Sequence, residues 1–159
     1  MPKILTTIDS KEMKRIIKDL NRLSKKELHS GFDSSSHSSG LTNKELASIL
    51  ENGTRDPQGG MHTPPRKFIT QAASIWLSSI DKESSLVIKN ILQGNDALAG
   101  KYLDEINEAG EQSIQQSIDT QNFKSLSPTT LRLKKDSAHP TEILLESGEL
   151  YQSVISFIK

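Results

Sequence analysis

Residues 42–68, TNKELASILENGTRDPQGGMHTPPRKF, decide how the rest of the chain is arranged. Thr42 and Glu45 have the spacing of a capping box, in which hydroxyl and carboxylate each satisfy a backbone N–H of the first helical turn. Leu46, Ile49 and Leu50 then give one narrow apolar stripe. Gly53 after Asn52 ends the helix, because glycine readily takes the positive φ of a helix-terminating cap. Asp56-Pro57 and Gly59-Gly60 are turn formers and predict irregular backbone beyond it. Pro64-Pro65 closes the loop, since the residue before a proline is pushed out of the helical region. Phe68 is the first large apolar residue after it and opens a new helix. A connection this long in a small chain is either functional or disordered. No reactive constellation surrounds it, so it reads as a surface for assembly.

Upstream, residues 3–8 are breaker-free and partly β-branched, which predicts a short strand. Asp9-Ser10 caps a helix in which Met13, Ile16, Ile17, Leu20 and Leu23 form one buried stripe, with Lys11, Lys14, Arg15, Lys18 and Arg22 on the other side. Residues 24–32 suit a second strand, and DSSSHSSG at 33–40 a mobile loop. Downstream, Phe68, Ala72, Ile75 and Trp76 share a face that Ile80, Val87, Ile88, Ile91 and Leu92 continue, in one helix or, if Asp81 caps anew, in two. Gly94 stops this region. From about Asp96 a further helix carries Leu103, Ile106, Gly110, Ile114 and Ile118 at three- and four-residue steps, Gly110 leaving room for a close neighbour.

Ser127-Pro128 has the cap-then-proline order of a helix start, so 129–135 reads as a short basic helix that His139-Pro140 ends. Ser147 caps another short helix with Leu150 and Tyr151, and VISFIK at 154–159 reads as a terminal strand buried on both faces. The expected fold is a single α+β domain over 1–159. It has a small antiparallel or mixed sheet that includes the N- and C-terminal strands, several helices packed on it, and mobile loops near 33–41 and 53–66.

The chain has 159 residues, enough for one domain with its own core, though 33% hydrophobic content makes that core modest. Twenty basic and twenty acidic residues cancel, which argues against long-range attraction to nucleic acid or an anionic membrane. No apolar run is long enough to span a bilayer, and the first residues lack the apolar centre of a signal peptide. Absence of cysteine excludes disulfides and thiolate zinc sites and fits an intracellular product. Charge is nevertheless uneven. Up to Phe32 there are 8 basic against 4 acidic residues, net +4, and over 94–121 there is 1 against 6, net −5. These are either ordinary solvated faces or opposed surfaces for head-to-tail contacts.

Chemistry-bearing patterns are weak. His29, His37, His62 and His139 never fall three to five residues apart, as zinc ligands commonly do. The serines beside His37 sit in a polar loop that supplies neither the strained turn nor the oriented base of a nucleophilic serine. Gly59-Gly60 lacks the lysine and hydroxyl residue of a phosphate-binding loop. Asp104, Glu105, Glu108 and Glu111 have no histidine at helical spacing and read as a solvated face. Lys124, Arg132, Lys134 and Lys135 make the best basic patch, for DNA or for a neighbour's acidic helix. No catalytic residue, metal or cofactor is expected, and a hydrolase assembled from scattered histidines and carboxylates has no spacing behind it.

Three stretches, in order, resemble the tail-completion and head–tail joining proteins of long-tailed bacteriophages: the opening KILTTIDSKEMKRIIKDLNRL, the central ELASILENGT…TPPRKF, and LSPTTLRLKK…EILLESGELYQSV. The family has a strand-then-helix start. A helix then ends in an aromatic-Gly-Thr turn, and a Pro-x-Arg-Pro-Phe motif opens the next one. A Leu-Ser-Pro-x-Thr segment comes later, then a Pro-Leu-x-x-Thr-Gly-x-Leu turn and a closing strand. Asn52 replaces the aromatic, Lys67 a proline, and Ile143 and Ser147 the later proline and threonine, and the central loop is longer.

The resemblance implies a structural virion protein of the neck without enzymatic activity. It would be made in the host bacterial cytoplasm and would form a ring, commonly six-fold, that completes the tail. Its partners would be further copies of itself, the tail tube protein and the head completion or connector proteins, with DNA only passing through the channel and no membrane involved. The expected contacts are His62, Pro64, Arg66, Phe68, Arg132 and Lys134, where Phe68 is equally readable as a core anchor and Arg66 as bonded to backbone or to a neighbour's carboxylate. The alternative is an assembly factor of tail or head morphogenesis that never enters the particle.

Overall fold

The computed structural model describes residues 9–159, so the strand expected at 3–8 lies outside the described residues. The order is α1 (Ser10–Leu23), β1 (Leu28–Phe32), α2 (Asn43–Asn52), β2 (Thr54–Arg55), β3 (Met61–Thr63), α3 (Phe68–Ser79), α4 (Asp81–Gln93), α5 (Asp96–Asp119), α6 (Pro128–Leu133), α7 (Glu149–Gln152) and β4 (Val154–Ile158). This is the expected α+β class. The α3/α4 ambiguity resolves into two helices, because Ile80 at φ −101°, ψ 1° leaves helical geometry between them.

At 24 residues α5 is the longest element, about 36 Å of axis, and both apolar clusters are built on it. Along its first half Ala99, Leu103 and Ile106 meet Val87 and Ile91 of α4. Along its second half Ile114 and Ile118 meet Phe68 and Ala72 of α3, Ala47 of α2, Leu150 and Val154. Gly110 sits between the clusters. A Cβ there would lie 3.0 Å from both Ser30 Cβ and the Trp76 ring, so glycine is what lets β1 and α3 come this close to the helix. Trp76 Nε1 donates to Ile106 O at 2.8 Å and locks that contact.

β1 and β4 form an antiparallel pair, Leu28 opposite Ile158 and Phe32 opposite Val154. The C-terminal strand is thus in the sheet as expected, but among the described residues it is covered on one face only. Val154 is buried against the α5 cluster, while Ile155 and Phe157 are 39% and 49% exposed. Among the described residues, helices pack on one side of this two-stranded sheet and Ile155 and Phe157 are exposed on the other. Phe157 there stacks on His29, ring centroids 4.9 Å apart.

The α1 stripe also departs from expectation. Leu20 and Leu23 pack beside the α4/α5 cluster, but Met13 and Ile17 stay exposed and the buried residue of the helix is Asp19. Polar docking explains this. Arg15 donates to the carbonyls of Ile91 and Leu92, each at 3.0 Å, at the end of α4, where Ile91 O also accepts from Gly94 N–H at 3.1 Å and the helix dipole favours a cation. Asp19, 3.3 Å from the same guanidinium, is carried into the interface as its counter-charge.

Candidate functional site

The central stretch begins as the sequence predicts. Thr42 and Glu45 form the capping box, and Gly53 closes α2 with its N–H on Ile49 O at 2.8 Å and φ +72°. The loop after Gly53 is not irregular throughout. β2 and β3 pair antiparallel, and the turn formers close the hairpin. Asp56 N–H donates to Gly60 O at 2.9 Å, and the Asp56 carboxylate accepts from Gly60 N–H at 2.6 Å. Residues that exclude regular structure locally have thereby placed two short extended segments side by side.

Beyond the hairpin the chain turns inward. Arg66 N–H donates to Leu50 O at 2.8 Å, and Phe68 enters the core with no exposed surface. The start of α3 has no side-chain cap of its own, because Lys67 supplies none. Glu51, near the end of α2, does so from across the loop. Its carboxylate accepts from Ile69 N–H at 2.8 Å, Thr70 N–H at 3.2 Å and the Thr70 hydroxyl at 2.5 Å. Glu51 is a buried carboxylate whose partners are all donors at a helix N-terminus, where negative charge is favoured. Glu51→Ala is expected to cost about 2 kcal/mol, the loss of a cap plus stranded buried donors. Urea unfolding with an unchanged slope measures it, and a loss under about 0.5 kcal/mol would show that α3 does not depend on this cap.

Beside this junction lies a groove of about 600 Å³. One wall is His62, Thr63, Pro64 and Arg66, the other is residues 124–127 with 142–144 and 146–148, and Leu46, Leu50 and Leu150 supply apolar lining. Four of the six expected contact residues meet here: His62, Pro64, Arg66 and Lys134. Arg132 is exposed but outside the groove, on α6. Phe68 lies in the core, edge-on to Phe32 at 5.8 Å between centroids; it is a core anchor, not a surface contact.

The two buried cations of the groove differ from what their sequence suggests. Lys134 is only 7% exposed and its Nζ donates to Glu142 O at 2.7 Å. It fastens the 142–148 wall, so Lys124, Arg132, Lys134 and Lys135 do not form one basic surface. Arg66, 6% exposed, donates to the carbonyl of Lys124 and so ties the two walls together. It has no ion pair among the described residues, and burial holds its pKa below the ordinary arginine value. The backbone alternative for Arg66 is the one realised within the subunit.

Other fasteners have no pattern in the sequence. Gln121 bonds Ile143 as a strand partner would, Oε1 accepting from its N–H at 2.6 Å and Nε2 donating to its carbonyl at 2.9 Å. The 33–40 loop, expected to be mobile, is hydrogen-bonded at several points. Asp33 Oδ1 accepts from Asn43 Nδ2 at 2.9 Å and from the Ser35 hydroxyl at 2.7 Å, and these bonds hold its carboxyl below the usual range. Ser38 N–H donates to the Glu149 carboxylate at 2.9 Å, which likewise holds Glu149 low. His37, 3.4 Å from Glu149, closes one end of the groove.

Apolar lining, a polar rim and walls from distant parts of the chain suit reception of a segment of another protein. His37 stands between a hydroxyl and a carboxylate, Nδ1 3.0 Å from Ser39 Oγ and Nε2 3.4 Å from Glu149. Nδ1 also accepts from Ser39 N–H at 3.0 Å, however, which makes the serine contact part of a local turn in an exposed polar loop. Among the described residues no three histidines or carboxylates are placed to hold a metal ion, and no helix is long and apolar enough to cross a membrane.

The chain matches no protein-family model, no curated protein and no solved structure. A functional reading therefore rests on residues and geometry.

Proposed function

We propose that this chain is a structural protein of the bacteriophage neck, which completes the tail as a ring and joins it to the head connector around the DNA channel. One observation carries the reading. The central and C-terminal stretches that resemble the neck proteins, far apart in sequence, form the facing walls of a single groove bridged by Arg66. Family-like segments that converge on one surface are expected if that surface is where the protein meets its partner. The groove would receive a segment of the tail tube or connector protein, whose carboxylate would find the guanidinium of Arg66.

Mass spectrometry of purified particles tests the reading. Peptides of this chain at ring stoichiometry are expected in the virion. Their absence, with the protein present in infected cells, would overturn it in favour of an assembly factor. Arg66→Ala is expected to lower the yield of infectious particles at least tenfold. His62→Ala, at an exposed groove residue, probes the same surface with little effect on folding. Normal yields from both variants would remove the groove from the proposal.

A further inference from the structure

Two further surfaces lie outside the groove described above. The first is the outer flank of α1. Met13 and Ile17 are 41% and 51% exposed, one turn apart on the same side. At about 3.6 residues per turn, Lys14 and Lys18 fall beside Ile17, and neither lysine forms an ion pair among the described residues. The second is a shallow groove of about 270 Å³ on a different part of α5, where the end of α3 and the start of α4 meet it. Ile75 and Ile80 give it an apolar lining, and Glu83 and Glu105 stand at it. Glu108, exposed on the same helix, extends the negative rim, and Glu105 has only the i,i+4 contact to Lys101 at 3.5 Å among the described residues.

We infer that α1 of one copy docks into the α3/α4/α5 groove of the next, making the subunit contact of a ring. The inference rests on the ring part of the proposed function. Apolar side chains flanked by lysines face an apolar groove flanked by glutamates, so burial and charge favour the same seating. A groove of about 270 Å³ has room for a few side chains, which fits Met13 and Ile17 as the inserting residues. The α1 flank and the acidic groove are different patches, so the contact is heterologous, and such contacts build rings when the rotation closes. A neutral chain with one basic and one acidic surface also does not repel copies of itself.

Zero-length carbodiimide coupling of lysine to carboxylate reads this contact on the unmodified chain. An equal mixture of normal and heavy-nitrogen protein separates links between copies from links within one. The expected product is a mixed-isotope link from Lys14 or Lys18 to Glu83, Glu105 or Glu108. Links between copies that map elsewhere, or none at any concentration, would overturn the inference. In sedimentation, Lys14→Glu with Lys18→Glu should raise the dissociation constant at least tenfold, and adding Glu83→Lys with Glu105→Lys should restore association. Unchanged association in the first variant would also overturn it. Particle mass spectrometry answers separately for the neck role, since the contact can exist without it and the chain can enter particles through another contact.

Discussion

Phe68→Ala is expected to destabilise the protein by about 4 kcal/mol, the largest effect of any single side-chain truncation in the chain. The ring has no exposed surface and sits where α2, α3, α5 and the C-terminal segment meet. Truncation loses the transfer free energy of the ring and leaves a cavity that four separate elements cannot all close. It also removes the edge-to-face partner of Phe32, a contact of about 1 kcal/mol beyond burial. The backbone cannot follow the smaller side chain inward, because Phe68 O accepts from the fully buried Ser117 hydroxyl at 2.8 Å. Against a typical total of about 5–15 kcal/mol, this is enough to leave a marginal domain partly unfolded. The check is the urea midpoint with far-ultraviolet circular dichroism. A loss below about 1.5 kcal/mol would mean that the second half of the core is organised around another residue.

Gly53→Ala should come close to that effect without removing an apolar atom. Gly53 has φ +72° and ψ 175°, a conformation essentially restricted to glycine. A Cβ would lie 2.5 Å from Thr63 O and 2.8 Å from Pro65 N. Both are backbone atoms and cannot swing aside as a flexible side chain would. Either the last turn of α2 unwinds, which shifts Glu51 away from the start of α3, or β3 and the Pro64 wall move off and the groove opens. The expected cost is about 3 kcal/mol, the sum of conformational strain and one of these two losses. Gly94→Ala is the built-in comparison. Its φ is +76° in the left-handed helical region, but a Cβ would meet only the Arg15 guanidinium at 3.3 Å, the far end of a flexible side chain. About 1–2 kcal/mol is expected there. Equal losses at the two positions would show that the hairpin is not packed against the end of α2.

The difference between these two glycines also separates what a sequence can state from what it cannot. Both are legible as helix stops, since a stop depends on φ at one residue. Only the packed chain shows that one of them touches the backbone of a proline pair further along. Helix starts obey the same rule. Thr42 with Glu45, Asp9 and Ser127 with Pro128 cap as their sequences predict, because donor and acceptor lie within one turn. The expected Ser147 cap, in contrast, is not formed: Gly148, at φ +76°, precedes α7 and no side chain caps it. The cap of α3 is invisible in the sequence, since Glu51 and Ile69 are eighteen residues apart and no spacing rule links them. Likewise the family resemblance points to Arg66 and Lys134, but their inward attachment to the carbonyls of Lys124 and Glu142 has no local signature.

By itself, then, the sequence determined the α+β class, most helix bounds, the C-terminal strand and the need for glycine at position 110, because caps, periodicity and breakers act within a few residues. Tertiary structure alone decided which apolar faces are covered. The period of three to four in α1 and the near-continuous apolar run of β4 state that a face is available for burial. A neighbour must supply the cover, and here α1 turns Asp19 inward to satisfy Arg15 while, among the described residues, β4 has helices on one side only. Burial is a property of pairs of surfaces, and a single strand of sequence holds only one member of each pair.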